Sequence, residues 1–417
     1  MVIMHVDANS AYLSWTAAAL LEKGCPLDIR TVPSVISGNP ESRHGIILAK
    51  STPAKKFNIQ TGESLYSAKQ KCKNLLVFPP AYDQYLLCSN EMYKILQEYT
   101  PIIQRYSVDE CFIDMTNSKF ISEKHVETAY EIKDRIKREL GFSVNVGLSN
   151  NKLLAKMAGE LKKPDMVHTL WPEEIRDKLW GLPVEELFMV GRATAKKLKK
   201  INIKTIGELA KMEPEHLKAI FKSHGLLIWN YANGIDNSPV ILNEQIIQKG
   251  IGNSTTTAYD LITFHDIQMV LLALTERTAM RLRKLGTKAS LIRIQVKTDS
   301  FISYSHQIQL NYFIDSTSDI FHYGCLLIKE VWRKEPLRHI GITVSNFGNE
   351  DTLQLSLLDS RPVNSVRNST LDKTIDQIRS KYGNLSIQRG CFVNGSVDSI
   401  QGGVNDGDYI MMGGYNS

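Results

Sequence analysis

At 417 residues, with 43 % hydrophobic and 23 % charged residues, the chain is too long for one ordinary domain and has the balance of a globular protein of two to four units. Its net charge of +6 and pI near 8.8 suit a polyanionic partner. No run of about 18 apolar residues occurs, which excludes a membrane-spanning helix; the opening MVIMHVDANS lacks a signal-peptide pattern.

Residues 2–6 read as a short strand ending at Asp7, followed by a sharp turn and a helix over residues 10–21. Residues 45–50 read as a buried strand, 61–62 as a turn, 64–73 as a basic helix and 79–80 as a break. Residues 82–99 have helical apolar spacing and stop before Pro101. Residues 102–107 and 111–115 flank Asp109–Glu110 and predict a strand–turn–strand hairpin. Residues 124–140 form an amphipathic helix pattern ended by Gly141, 142–148 an alternating strand, and 151–161 a helix stopped by Pro164. This alternation predicts an α/β layer around one core. Short helices are expected from Pro172 onward, with a Lys-rich one after Met189–Thr194, then a linker at 233–239.

Residues 249–343 mix strands (291–298, 304–310, 340–344) with helices (265–284, 316–332), an α+β unit. Residues 346–360 read as an extended linker, 371–381 as a short helix, and the Gly-, Asn- and Ser-rich stretch 394–417 as disordered. No internal repeat is present. The six cysteines, Cys25, Cys72, Cys88, Cys111, Cys325 and Cys391, form no C-x-x-C pair and have no histidine at zinc-finger spacing. They read as buried thiols of a reduced, cytoplasmic chain.

Three carboxylates stand at predicted strand ends: Asp7, Asp109 and Glu110. Hard divalent cations take oxygen ligands, and two of them about 4 Å apart can hold both the attacking and the leaving oxygen of a phosphoryl transfer. That chemistry needs acids from at least two adjacent strands. A strand ending in Asp and a hairpin carrying Asp-Glu supply them; spacing alone leaves open that these are solvated turn acids. Tyr12 reads by itself as a helix residue packing on the core, and the lysines after residue 190 as a solvated helix face.

Four blocks together resemble the Y-family DNA polymerases, the DNA polymerase IV and UmuC-type enzymes of bacteria. They are His5-Val-Asp-Ala-Asn-Ser-Ala-Tyr12, Tyr106-Ser-Val-Asp-Glu-Cys-Phe-Ile-Asp114, Val146-Gly-Leu-Ser-Asn-Asn-Lys-Leu-Leu-Ala-Lys156 with Lys163-Pro164 downstream, and Lys249-Gly-Ile-Gly-Asn-Ser-Thr255. The likeness covers residues 2–389. It implies a multidomain α/β and α+β right hand: a ferredoxin-like palm (1–30 and 80–165), small fingers (31–79), a helix-hairpin-helix thumb (166–235), an α+β little finger (242–345) and a C-terminal tail (346–417). It implies an error-prone, template-directed polymerase for translesion synthesis and DNA repair, monomeric, cytoplasmic and nucleoid-associated.

The resemblance also implies roles. Asp7 and Asp109 bridge two Mg²⁺ ions, for which Mn²⁺ can substitute; Glu110 binds the ion at the primer 3′-hydroxyl, and the Ala8 carbonyl completes the nucleotide-side ion. Tyr12 matches the steric gate, a ring against C2′ of the incoming sugar. Ser51, Thr52, Lys55 and Lys163 hold the triphosphate. Thr52 and Lys55 depart from the family's usual Tyr and Arg, which removes the two-pronged geometry of Arg. Leu48 and Ile46 fall at the roof over the templating base and imply a tight roof.

Phosphate contacts to primer–template DNA fall on Gly191, Arg192, Lys196 and Lys197 in the thumb, and on Lys249, Arg281, Arg283, Lys288 and Arg293 in the little finger. A grip of this kind is insensitive to sequence and strongly salt-dependent. Gln354-Leu355-Ser356-Leu357-Leu358 looks like the peptide that inserts Gln354, Leu355, Leu357 and Leu358 into the bacterial β sliding clamp. Two other functions remain open at this level: a palm-type nucleotidyl cyclase, and a non-catalytic repair scaffold.

Overall fold

A computed structural model describes residues 1–118, 124–242, 245–348 and 365–393. Among these, two units separate: Met1–Gly38 with Ile46–Ile246, and Asn39–Gly45 with the chain from Ile247 onward.

In the first unit a five-stranded sheet runs in the order Ile103–Arg105, Glu110–Asp114, Ile3–Ala8, Val144–Ser149, Val167–Thr169. Ile3–Ala8 lies at its centre, antiparallel to both neighbours. Strand alternation sends its even residues to one face and its odd residues to the other. Met4, Val6 and Ala8 pack with Met92, Ile95, Ile132 and Ile136, from the helices Tyr82–Gln97 and His125–Leu140. Ile3, His5 and Asp7 face the other way, toward the helix Lys152–Glu160. That helix presses directly onto the sheet at Gly147, where a Cβ would come within 2.0 Å of the Ala155 carbonyl and 2.4 Å of the Gly159 nitrogen. The Asn145 amide ties down the helix end by donating to the Gly159 and Lys162 carbonyls at 2.9 and 2.8 Å.

A smaller sheet, Ile47–Lys50, Ser34–Ser37, Leu76–Phe78, packs one face on Leu65 and Ala68 and the other on Leu13 and Ala17 of the helix Ala11–Glu22. The short helices from Ile175 to Ala232 share a core with Leu153, Leu154 and Met157. Met189 and Asn202 take left-handed backbone around the helix Arg192–Lys200, with φ of 70° and 63°.

The second unit is a four-stranded antiparallel sheet in the order Ser303–Ile314, Lys288–Thr298, Leu337–Gly348, Gly250–Leu261. The helices Phe264–Lys284 and Thr317–Val331 cover one face, and Ser365–Tyr382 packs on those helices.

Several elements differ from the sequence reading. The strands Ser34–Ser37, Leu76–Phe78 and Val167–Thr169 were not expected; each is three or four residues long and gains its identity from its neighbours. Gly250–Leu261 is a full strand although Ser, Thr and Gly dilute its pattern. Asn346 belongs to a strand rather than to the expected linker, and the last helix is longer than residues 371–381. Cys391 is exposed, and Cys25 and Cys88 are only half-buried, against the expectation of buried thiols. Residues 349–360 of the expected linker and 394–417 of the expected tail lie outside the described residues.

Candidate active site

Asp7 is the antiparallel register partner of Glu110, which sets their Cα atoms about 5 Å apart. The Ala8 nitrogen donates to the Asp109 carbonyl at 3.0 Å, holding the hairpin turn against the strand end. The sheet thus brings all three predicted acids, and Ala8, to one end of its inner strands. Ser107 Oγ donates to Asp109 Oδ1, and the Asp109 nitrogen donates back to Ser107 Oγ at 3.3 Å.

The electrostatics are those of crowded acids. Burial pushes the Asp7 carboxyl above its ordinary value, and Glu110 adds to the rise, while Lys163 and His5 oppose it. Burial likewise pushes Asp109 up, again with Glu110 adding and Ser107 opposing. At Glu110 burial acts upward too, but the hydrogen bonds and charges of His5 and Lys156 outweigh it and hold the group at about 2.

Among the described residues no three His, Cys, Asp or Glu side chains already stand in a metal-ligating cluster. Asp7 Oδ2 instead accepts from Lys163 Nζ at 2.5 Å, and Glu110 Oε2 from Lys156 Nζ at 2.5 Å. The donor set still fits a divalent cation: hard carboxylate oxygens on adjacent strands, whose mutual repulsion such an ion relieves.

Tyr12 is half-buried on the first turns of the helix Ala11–Glu22. Its ring stacks on Tyr85 at 4.4 Å between centroids and 8° between planes, and meets Tyr82 edge-on at 6.2 Å. The Tyr85 hydroxyl is fixed by Thr16 Oγ1 at 2.9 Å. The Tyr12 ring therefore rests on a rigid aromatic backing.

Of the four predicted triphosphate residues, Thr52 and Lys55 are exposed on a short helix. Lys163 reaches Asp7 and, at 2.8 Å, Glu160. Ser51 does not fit that role. It is 1 % exposed; its Oγ donates to the Val32 carbonyl at 2.7 Å and accepts from the Ser34 and Ala54 nitrogens, both at 3.1 Å. It is a buried helix cap, and its lone pairs are spent inside the fold.

Gly191 opens the helix Arg192–Lys200, on which Arg192, Lys196 and Lys197 are exposed. In the second unit Lys249 and Arg293 are exposed, Arg281 donates to the Gly252 carbonyl at 3.3 Å, and Lys288 begins an inner strand. Arg283 is a correction. Its side chain is 6 % exposed and forks onto Asp376 at 2.6 and 3.0 Å, with further bonds to the Asp315 carbonyl at 2.8 Å and Asp372 at 3.3 Å. It braces the last helix and does not present a charge to DNA. Gln354, Leu355, Leu357 and Leu358 lie outside the described residues.

Sequence reasoning missed four supporting side chains: His5, Lys156, Ser107 and Tyr85. His5 was legible in principle, because it lies two residues before Asp7 on a strand and so shares its face. Tyr85 had no local signal, since its partner Tyr12 sits on another helix.

The family model of the impB/mucB/samB family matches residues 6–160, that of the impB/mucB/samB family C-terminal domain residues 248–357, and that of the DNA polymerase-iota thumb domain residues 185–236. The chain is 50 % identical over 388 residues to DNA polymerase IV of Clostridium acetobutylicum, covering 93 % of this chain and 97 % of that one. It is 34 % identical over 391 residues to DNA polymerase IV of Acetivibrio thermocellus, covering 93 % and 96 %. A solved Y-family DNA polymerase chimera, Dbh-Dpo4(243-245)-Dbh, superposes with a TM-score of 0.72 at 21 % identity, over 83 % of this chain and 99 % of that one. The right-hand fold is therefore shared, and neither the cyclase nor the scaffold reading finds support in these likenesses. On these relatives and family models, the chain belongs to the Y-family DNA polymerases, in their bacterial DNA polymerase IV branch.

Proposed function

We propose that Asp7, the Ala8 carbonyl, Asp109 and Glu110 hold two Mg²⁺ ions, replaceable by Mn²⁺, at the point where a dNTP meets a primer 3′-hydroxyl. Membership of the family makes the chain a DNA-directed DNA polymerase of translesion synthesis, with DNA and dNTPs as substrates and a divalent metal cofactor. The observation that carries the site is the pairing of Asp7 with Glu110 across adjacent strands, locked by the Ala8–Asp109 backbone bond. Bound ions supply charge to the attacking and leaving oxygens.

The chain's own residues do the rest. Asp7 and Asp109 would hold both ions, and Glu110 the one on the primer side. Tyr12, stiffened by Tyr85, closes the space beside C2′ of the sugar. Lys163, Lys55 and Thr52 offset and bind the triphosphate; Ser51 only caps the loop that carries them.

We assign the palm, fingers, thumb, little finger and tail to the boundaries given above. DNA phosphates are gripped at Gly191, Arg192, Lys196 and Lys197, and at Lys249, Arg281, Lys288 and Arg293. The peptide at Gln354–Leu358 binds the β clamp and supplies processivity by effective concentration. The protein works as a monomer in the cytoplasm, at the nucleoid. Primer extension tests the reading: purified protein extends a primed template with Mg²⁺ and dNTPs, and Asp109→Ala does not. Extension by Asp109→Ala at the normal rate would end the proposal.

A further inference from the structure

This inference deepens the metal site and rests on the reading of Asp7, Asp109 and Glu110 as ligands. His5 and Asp7 leave the central strand on the same face, beneath the helix Lys152–Glu160. His5 is fully buried, and its Nε2 lies 3.1 Å from Glu110 Oε2. Its ring is wedged between Phe112, at 4.8 Å between centroids, and Gly159, where a Cβ would stand 3.3 Å from Nδ1. The imidazole therefore has little room to turn.

Lys156 reaches the same Glu110 oxygen from the helix above, at 2.5 Å. Its Nζ is held 5.2 and 5.4 Å from the ring centroids of Tyr106 and Phe188, and its side chain is 11 % exposed. An ionised carboxylate only accepts, so both groups donate, and both donate to Oε2.

We propose that His5 and Lys156 are positioning residues that reserve Glu110 Oε2 and leave Oε1 as its single oxygen for a divalent ion. A carboxylate with both oxygens free can swing or grip an ion with two oxygens. The two-oxygen grip takes a coordination position that a six-coordinate ion needs for water, phosphate or the primer hydroxyl, and a swing misdirects the one oxygen that binds. Fixing one oxygen presets the direction of the other before the ion arrives. The contrast with Lys163 supports this. Its side chain is 30 % exposed and divides between Asp7 and Glu160, whereas His5 is immobilised by packing.

The test uses the full chain with a dideoxy-terminated primer–template and the next correct dNTP, so that nothing turns over. Mn²⁺ binding to this complex is followed by electron paramagnetic resonance, and the Mg²⁺ midpoint of single-turnover extension is measured on an ordinary primer. His5→Leu and Lys156→Met are each expected to weaken Mn²⁺ binding about 10- to 100-fold and to raise the Mg²⁺ midpoint in step. DNA and dNTP affinities should stay within about twofold, because both groups are engaged by Glu110. His5→Gln, which restores a donor, should recover most of the metal affinity.

If both variants fold and bind Mn²⁺ as the wild type does, losing only rate or thermal stability, the positioning role is overturned. Should His5→Leu fail to fold, Lys156→Met, whose side chain is 11 % exposed, decides the matter alone. Glu110→Gln separates this inference from its premise. Loss of extension in Glu110→Gln with unshifted metal midpoints in the other variants sinks the positioning role only. Normal extension by Glu110→Gln sinks the metal-site reading and the inference with it.

Discussion

Replacing Arg283 by Leu distinguishes a structural brace from a DNA contact. The guanidinium binds both oxygens of Asp376 and one of Asp372, and Asp372 Oδ2 also accepts from the Thr317 nitrogen at 2.7 Å. Removing the arginine leaves Asp372, whose side chain is 6 % exposed, beside Asp376 with only the more distant guanidinium of Arg389, at 3.9 Å. Breaking a buried ion pair from one side costs about 3–5 kcal/mol. For a unit of this size that lowers the melting midpoint by roughly 10–20 °C. Scanning calorimetry of the full chain reads the shift. Arg283→Lys should not rescue, because an ammonium cannot reproduce the two-pronged bond. DNA binding measured against salt below the melting range should keep its slope. Arg293→Ala, at an exposed position, should reduce that slope by about 1. An unchanged melting midpoint together with a shallower salt slope in Arg283→Leu would refute the assignment.

Four further outcomes follow from the same geometry. Asp109→Asn should lower the extension rate by at least about a thousandfold yet raise the metal-free melting midpoint at pH 7–8, read by scanning calorimetry, because burial disfavours its charge. The pH profile of that metal-free stability has two opposite parts. Glu110, held at about 2, contributes stability that is complete above about pH 4.5 and lost as pH falls toward 2; Asp7 and Asp109, raised, contribute stability present below about 3.8 and lost as pH rises through their folded values. Acid titrations of wild type and Glu110→Gln should differ in the first window. Tyr12→Ala should raise ribonucleotide use relative to deoxynucleotide use by roughly 10–200-fold. Tyr85→Leu, which removes only the stacking partner, should do so by about 2–10-fold, read as the ratio of kcat/KM values. Gly147→Ala drives a Cβ into the Ala155 carbonyl and Gly159 nitrogen, and should cost at least about 1–3 kcal/mol while displacing Lys156 from Glu110.

Much of the site was legible in the chain itself. Residues 2–6 form a short apolar run interrupted by His5, so the strand and the position of Asp7 at its end follow from local pattern. Asp109–Glu110 between two apolar runs announces a hairpin for the same reason, and Gly141 and Pro164 mark helix ends by backbone chemistry alone. The identity of the family was carried by short blocks whose order no single pattern explains.

What the chain could not announce depends on contacts between residues far apart in it. Arg283 and Ser51 have the residue types of phosphate binders, but Arg283 meets Asp376 and Ser51 meets Val32 only once helices and loops pack. The same holds for His5 and Lys156, which converge on one oxygen of Glu110 only because Gly147 and Gly159 let a helix lie against the sheet. Periodicity reports which face a side chain occupies. Whether a charge on that face is spent on a neighbour or offered to a ligand is decided by desolvation and partner geometry, and those exist only in the folded chain.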